Sequence, residues 1–138
     1  MTLVEIMHRT LPGTAQPMYS GFFRNNPDPG MPWLHGGIDF QFVNASMNWP
    51  GSTTVYAPIA GTVVDMQDNW GGVIIQAADG TFHRILHLDT FALGLGLGSV
   101  LSIGSPLGQI GNTVGEGAPV GTHVHYDVYL PDATGTAG

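Results

Sequence analysis

The sequence predicts an all-β fold: a single domain of mostly antiparallel sheets, sandwich-like with a central groove, a long irregular N-terminal segment and little helix. Three observations predict it. Glycine and proline are frequent (21 and 10 of 138 residues) and spread along the whole chain. Each glycine inside a helix costs about 1 kcal/mol relative to alanine, so long helices are disfavoured. Only 9% of residues are charged, against roughly 25% in an ordinary soluble domain, which excludes a coiled coil or charged bundle. Finally, the apolar runs are short, β-branched and bounded by turn residues, the pattern of strands.

Along the chain, Met1 to Gln16 shows no capped, apolar-striped helix and lacks the apolar run of a signal peptide. Phe22–Gln41 is rich in Pro, Gly, Asn and aromatics and has no period, as functional loops do. Val55–Ala57 and Thr62–Met66 read as strands flanking the turn Pro58–Gly61. Val73–Ala78 and Thr81–Leu88 read as a hairpin across Asp79-Gly80, two residues that tolerate the positive φ of a type I′ turn. Phe91–Gly98 reads as a loop, and Leu107–Ile110 and Thr122–Leu130 as the last strands. The expected organisation is a segment over 1–19, one domain over 20–131 and a fraying tail over 132–138.

A formal charge of −7 with three basic residues, all Arg, offers no stripe for phosphates, so nucleic acid is excluded as a partner. The absence of cysteine excludes disulfides, thiolate metal sites and a Cys nucleophile. No apolar stretch approaches the roughly 18–20 residues of a transmembrane helix, so no transmembrane segment is expected.

Three of the six His lie in two tight motifs, and a fourth, His87, lies at the end of the hairpin. His35-Gly-Gly-Ile-Asp39 ends the aperiodic stretch, and His123-Val-His125 opens the last strand, with His87 closing the hairpin. Residues two apart on a strand share a face, so His123 and His125 look out of one side of the sheet. His35 and Asp39, four apart on extended chain, can converge likewise. Imidazole and carboxylate form a donor set suited to Zn²⁺, and three protein ligands would leave one position open, as in catalytic sites. Spacing alone leaves open which three of His35, Asp39, His123 and His125 ligate, and an isolated His-x-His is more often a surface or core pair than a ligand set.

Together the motifs resemble those of the lysostaphin-type (LytM-like) zinc endopeptidases, which cut peptides of bacterial peptidoglycan. Arg24-Asn-Asn-Pro27 with His35-Gly-Gly-Ile-Asp39 resembles the family's Arg-x-x-Pro and His-x-Gly-x-Asp. Val55-Tyr-Ala-Pro-Ile-Ala-Gly-Thr-Val63, the Asp79-Gly80 to His87-Leu88 hairpin, the glycine-punctuated Val100 to Gly111 and Gly121-Thr-His-Val-His-Tyr-Asp127 match further family elements in order. The resemblance covers about residues 20–129. It implies one zinc ion per domain held by His35, Asp39 and His125, with His87 and His123 as catalytic residues beside the activated water. Family members that have lost catalysis typically lose zinc ligands, whereas all five positions are filled here.

The implied activity is hydrolysis of cross-links or stem peptides of peptidoglycan. The alternatives are a catalytically silent zinc-binding adaptor of the same fold, for example in a phage tail, and, more remotely, a sugar-uptake phosphocarrier domain. The chain departs from the family at Ile85, where Tyr is common, and at His83, where Thr is usual. By strand alternation His83 shares a face with His87, so it is either a groove contact or an edge residue. Trp33 and Trp49 flank the first motif and are candidate groove walls, and Trp70 is a third loop-side Trp. Asp127 reads chiefly as a solvated acid or a partner of the site, and orienting a His is the lesser of its readings. The expected partner is a peptidoglycan peptide. A lone domain without a visible export signal suits a phage lysin, a virion component or a piece of a larger or secreted wall hydrolase.

Overall fold

The computed structural model describes residues 2–12, 15–17, 24–25, 34–35, 38–42, 53–112 and 122–130; within the first four strands, Asp39 is the side chain described. The chain opens with a helix, α1 (Leu3–Thr10), where the sequence reading expected none. Thr2 caps it: its hydroxyl accepts from the Glu5 N–H while the Glu5 carboxylate accepts from the Thr2 N–H, a reciprocal capping box. The Thr-x-x-Glu signature was in the sequence, but an eight-residue helix is marginal alone. Burial of Met7 and of Leu11 just past its end in the main core holds it, so part of the segment over 1–19 belongs to the domain's own core.

Twelve strands follow among the described residues: β1 (Ala15–Pro17), β2 (Arg24–Asn25), β3 (Leu34–His35), β4 (Ile38–Phe42), β5 (Thr54–Tyr56), β6 (Gly61–Gln67), β7 (Gly72–Gln76), β8 (Phe82–Leu86), β9 (Leu88–Phe91), β10 (Val100–Leu101), β11 (Pro106–Ile110) and β12 (Val124–Tyr129). Among the described residues they form a seven-stranded sheet ordered β1-β4-β12-β8-β7-β6-β10, a three-stranded sheet β5-β11-β9, and the pair β2-β3. All the pairings are antiparallel. The all-β, mostly antiparallel expectation therefore holds, with one short helix added.

The core joins Val63, Val73, Ile75, Ile85, Val124 and Tyr126 of the large sheet to Val55, Leu107, Ile110 and Leu88 of the small one. Period-2 alternation explains the selection: in β12, Val124 and Tyr126 enter the core while His125 and Asp127 take the other face. No helix among the described residues is long and apolar enough to cross a membrane.

The β7–β8 hairpin differs in detail from the two-residue turn expected. Ala77 N–H bonds to the Thr81 carbonyl, Gly80 N–H bonds to that of Ala77, and Gly80 alone in the turn has positive φ (86°). This is a three-residue loop with glycine in the left-handed position, and Asp79 instead caps it by accepting from the Thr81 N–H and hydroxyl. The tail over 132–138 lies outside the described residues.

Candidate metal and peptidase site

Strand β12 is the axis of the site. Its neighbours are β4 on one side and β8 on the other, in a register that sets His125 opposite both Asp39 and Leu86. Directly opposed residues on one face have Cβ atoms roughly 5 Å apart, and here Asp39 Oδ1 reaches His125 Nδ1 at 2.8 Å. His123, two residues earlier, places Nε2 3.7 Å from the same oxygen. The expected sharing of a face by His123 and His125 is therefore what the strand delivers. His35 lies on β3, opposite Arg24 of β2, and its side chain lies outside the described residues.

His87 arrives by a different device. Strand β8 belongs to the large sheet and β9 to the small one, and His87 alone separates them. It is the non-glycine residue with positive φ, 75°, among the described residues. Such a conformation is uncommon outside glycine and concentrates at functional sites. It breaks the alternation that would have set His87 on the face of His83 and Ile85. Its ring instead stands 4.6 Å, centroid to centroid, from that of His123 and 6.0 Å from that of His125. The turn before β7 holds this kink, since His87 N–H donates to the Trp70 carbonyl and Leu88 N–H to that of Gly71. His123 also marks a passage between sheets, bridging to Gly111 at the end of β11 before β12 begins.

His83 is brought elsewhere, because regular alternation carries it to the core side. It is buried, opposite Val128 in the register and on the sheet face away from His125. Thr81 gives its hydroxyl proton to Asp79, so His83 Nε2–H donates to Thr81 and the Tyr126 hydroxyl donates to His83 Nδ1. Burial lowers the His83 pKa, partly offset by the Asp79 charge, in keeping with a neutral ring. The other two groove candidates, Trp33 and Trp49, lie outside the described residues. Trp70, by contrast, is exposed on a short 3₁₀ turn with its ring 6.3 Å from that of His87.

Two further residues of the site were undervalued by the sequence reading. Asp127 is not a solvated acid: it is buried, and its Oδ2 lies 2.9 Å from His125 Nε2. Arg84, opposite Asp127 on β8, clamps it with Nε to Oδ1 at 3.1 Å and Nη2 to Oδ2 at 2.7 Å. Burial pushes the Asp127 pKa up, but the hydrogen bonds from His125 and Arg84 prevail and lower it. His125 stands between two carboxylates. Burial disfavours its charged form, yet hydrogen bonds to Asp127 and Asp39 outweigh that and raise its pKa to about 9. In the metal-free protein both ring nitrogens are then donors.

Among the described residues no three His or acid side chains are gathered as a metal-holding group. The described pair, however, fits a zinc ion. Asp39 Oδ1 and His125 Nδ1 are an oxygen and a nitrogen facing one another with a proton between them. Their 2.8 Å separation is about 0.5 Å short of the roughly 3.3 Å between two ligands of one tetrahedral zinc. Replacing that proton by a metal needs only a small opening of the pair.

Comparisons with known proteins bear on the family and the fold. Among solved structures, the chain is similar to one from Ruminococcus gnavus described as a glycyl-glycine endopeptidase LytM, at 25% identity and TM-score 0.68, covering 87% of this chain and 48% of that one. It is also similar to a zinc-containing peptidase from Vibrio cholerae, at 25% identity and TM-score 0.61, covering 82% and 32% respectively. The antimicrobial peptidase lysostaphin from Staphylococcus simulans shares the fold, at 24% identity and TM-score 0.61 over 89% of this chain and 46% of that one. The chain thus spans about half or less of the length of these three. A comparison with curated proteins finds no match. The sequence profile of peptidase family M23 matches residues 34–135, from the strand that carries His35 to beyond β12, which carries His125 and follows directly on His123. On that span the chain belongs to peptidase family M23.

Proposed function

We propose that the protein is a zinc-dependent endopeptidase that hydrolyses cross-links or stem peptides of bacterial peptidoglycan. The observation that carries this reading is the facing pair Asp39 and His125, with the rings of His123 and His87 beside it, in a member of a peptidase family. Asp39 and His125, with His35 as third ligand, would hold the ion. A zinc ion held there would supply Lewis acidity, lowering the pKa of water to about 7.

The remaining chemistry belongs to the chain. His87 and His123 stand side by side next to Asp39 and His125, and imidazole is the side chain whose chemistry suits proton exchange near neutral pH. One accepts the proton of the attacking water and returns it to the leaving amine as the C–N bond breaks; the other donates a hydrogen bond to the carbonyl oxygen as it becomes negative. No covalent enzyme intermediate is involved, consistent with a chain that has no Cys. Trp70 offers exposed aromatic surface next to His87 on which a peptide can lie.

The substrate class follows the motif resemblance and the neighbour described as a glycyl-glycine endopeptidase, and the charge of the chain bears on how it is held. A domain of −7 gains nothing from long-range attraction to anionic wall polymers. Binding must come from short-range contacts in the groove. Mass spectrometry of the soluble fragments released from sacculi of defined wall types tests the reading. Peptides cut at an amide with the glycan intact are expected, whereas fragments cut only in the glycan would overturn it.

A further inference from the structure

The reaction outlined above leaves Asp127 and Arg84 without a role, although Asp127 is a buried carboxylate in direct contact with a proposed ligand. Asp127 lies two residues beyond His125 on β12, hence on the same face, and its side chain is 3% exposed. Arg84 grips both of its oxygens, at 3.1 and 2.7 Å, and the guanidinium itself rests over the Tyr129 ring, 4.9 Å from its centroid. A two-point grip fixes the plane of the carboxylate as well as its position. In that fixed plane Oδ2 meets His125 Nε2 at 2.9 Å.

The consequence follows from which atoms carry hydrogen. A carboxylate gripped by a guanidinium can only accept, so the His125 nitrogen facing it must carry N–H. When a cation displaces the Nδ1 proton, the neutral imidazole keeps its one N–H on Nε2, which leaves the lone pair on Nδ1, the nitrogen that faces Asp39. Without Asp127 either tautomer would be open to the ring, and one of them presents a hydrogen rather than a lone pair toward Asp39. An ion pair that served stability alone would need Arg84 and Asp127 but not the third contact to His125.

We propose that Arg84 and Asp127 are positioning residues for the zinc centre, holding His125 in the one tautomer and ring orientation that offers Nδ1 to a cation beside Asp39. This rests on the zinc reading proposed above. Partners of this kind commonly change metal affinity about 10- to 100-fold when removed.

The test measures zinc affinity by competition with a chromophoric chelator, and the absorption spectrum of the Co²⁺-substituted protein, for wild type, Asp127→Asn, Arg84→Met and Arg84→Lys. Melting of the metal-free proteins checks that each is folded. Arg84 is 27% exposed and its variants keep the Asp127 side chain, so they provide a second route to the pair should Asp127→Asn fail to fold. Asp127→Asn is expected to weaken zinc binding about 10- to 100-fold and to alter the Co²⁺ spectrum. Arg84→Met should weaken binding by a smaller factor, with Arg84→Lys, which keeps one of the two bonds, between it and wild type. Folded Arg84→Met and Asp127→Asn proteins that bind zinc within twofold of wild type, with unchanged Co²⁺ spectra, would overturn the positioning role and leave the zinc reading standing. A folded wild type that binds no zinc would overturn the zinc reading itself, and the positioning role with it.

Discussion

Asp39 and His125 stand directly opposite one another across the β4–β12 ladder, 86 positions apart in sequence, with Oδ1 2.8 Å from Nδ1. The pairing is a property of strand register, and a slip of one residue would turn His125 into the core and Val124 or Tyr126 toward Asp39. Register here is well specified, because Val124 and Tyr126 are buried on the opposite face. The hydrophobic core thus aligns the polar site on its other side.

His87 holds a left-handed backbone where the chain leaves one sheet for the other. Replacement by Ala keeps the unfavourable conformation and loses the ring, whereas Gly removes the conformational penalty as well. His87→Gly is expected to be more stable than His87→Ala by about 1 kcal/mol in denaturant unfolding. Both should lose about 10²- to 10⁴-fold in turnover. Equal stability of the two variants would mean that the kink carries no backbone cost.

The turn that supports this kink is equally specific. Gly71 has φ 58°, and a Cβ there would lie 2.2 Å from the Leu88 carbonyl oxygen and 2.6 Å from its nitrogen. Gly71→Ala must push Leu88, and with it the backbone of His87, away from the turn. The expected result is a loss of more than about 1 kcal/mol of stability, accompanied by lower turnover. A Gly71→Ala protein of wild-type stability and turnover would show that the turn does not brace His87.

The buried His83 makes stability depend on pH in a definite direction. Its folded pKa lies below the unfolded value of about 6.5 because burial penalises the charged ring. Between the two values the unfolded chain binds a proton that the folded chain does not. The contribution is therefore present above about pH 6.5 and is lost as pH falls through the folded pKa. Urea unfolding of wild type and His83→Gln across that range should show the wild type losing stability relative to the variant as pH falls. Parallel curves would contradict a buried neutral ring.

What could be read from the sequence was what local pattern encodes. The β-branched runs gave β7, β8 and β12, and period 2 put His123 and His125 on one face. The same rule misplaced His87, because alternation assumes unbroken strand and the chain kinks at His87 itself. It also grouped His83 with His87, whereas the strand carries His83 into the core beside Tyr126. Helix α1 was overlooked because its stability comes from Met7 and Leu11 in the tertiary core, not from its own eight residues. The Arg84–Asp127 clamp depends on the register of strands 43 residues apart, which neither strand's own pattern specifies.

The most direct measurement is the release of new amino termini from purified sacculi by the zinc-loaded protein, by the same protein after chelation and zinc restoration, and by Asp39→Ala. The account predicts release by the zinc-loaded wild type, its loss on chelation, its recovery with zinc, and none from Asp39→Ala. A folded, zinc-loaded wild type that releases no amino termini from any wall type, or an Asp39→Ala protein that releases them at the wild-type rate, would contradict it.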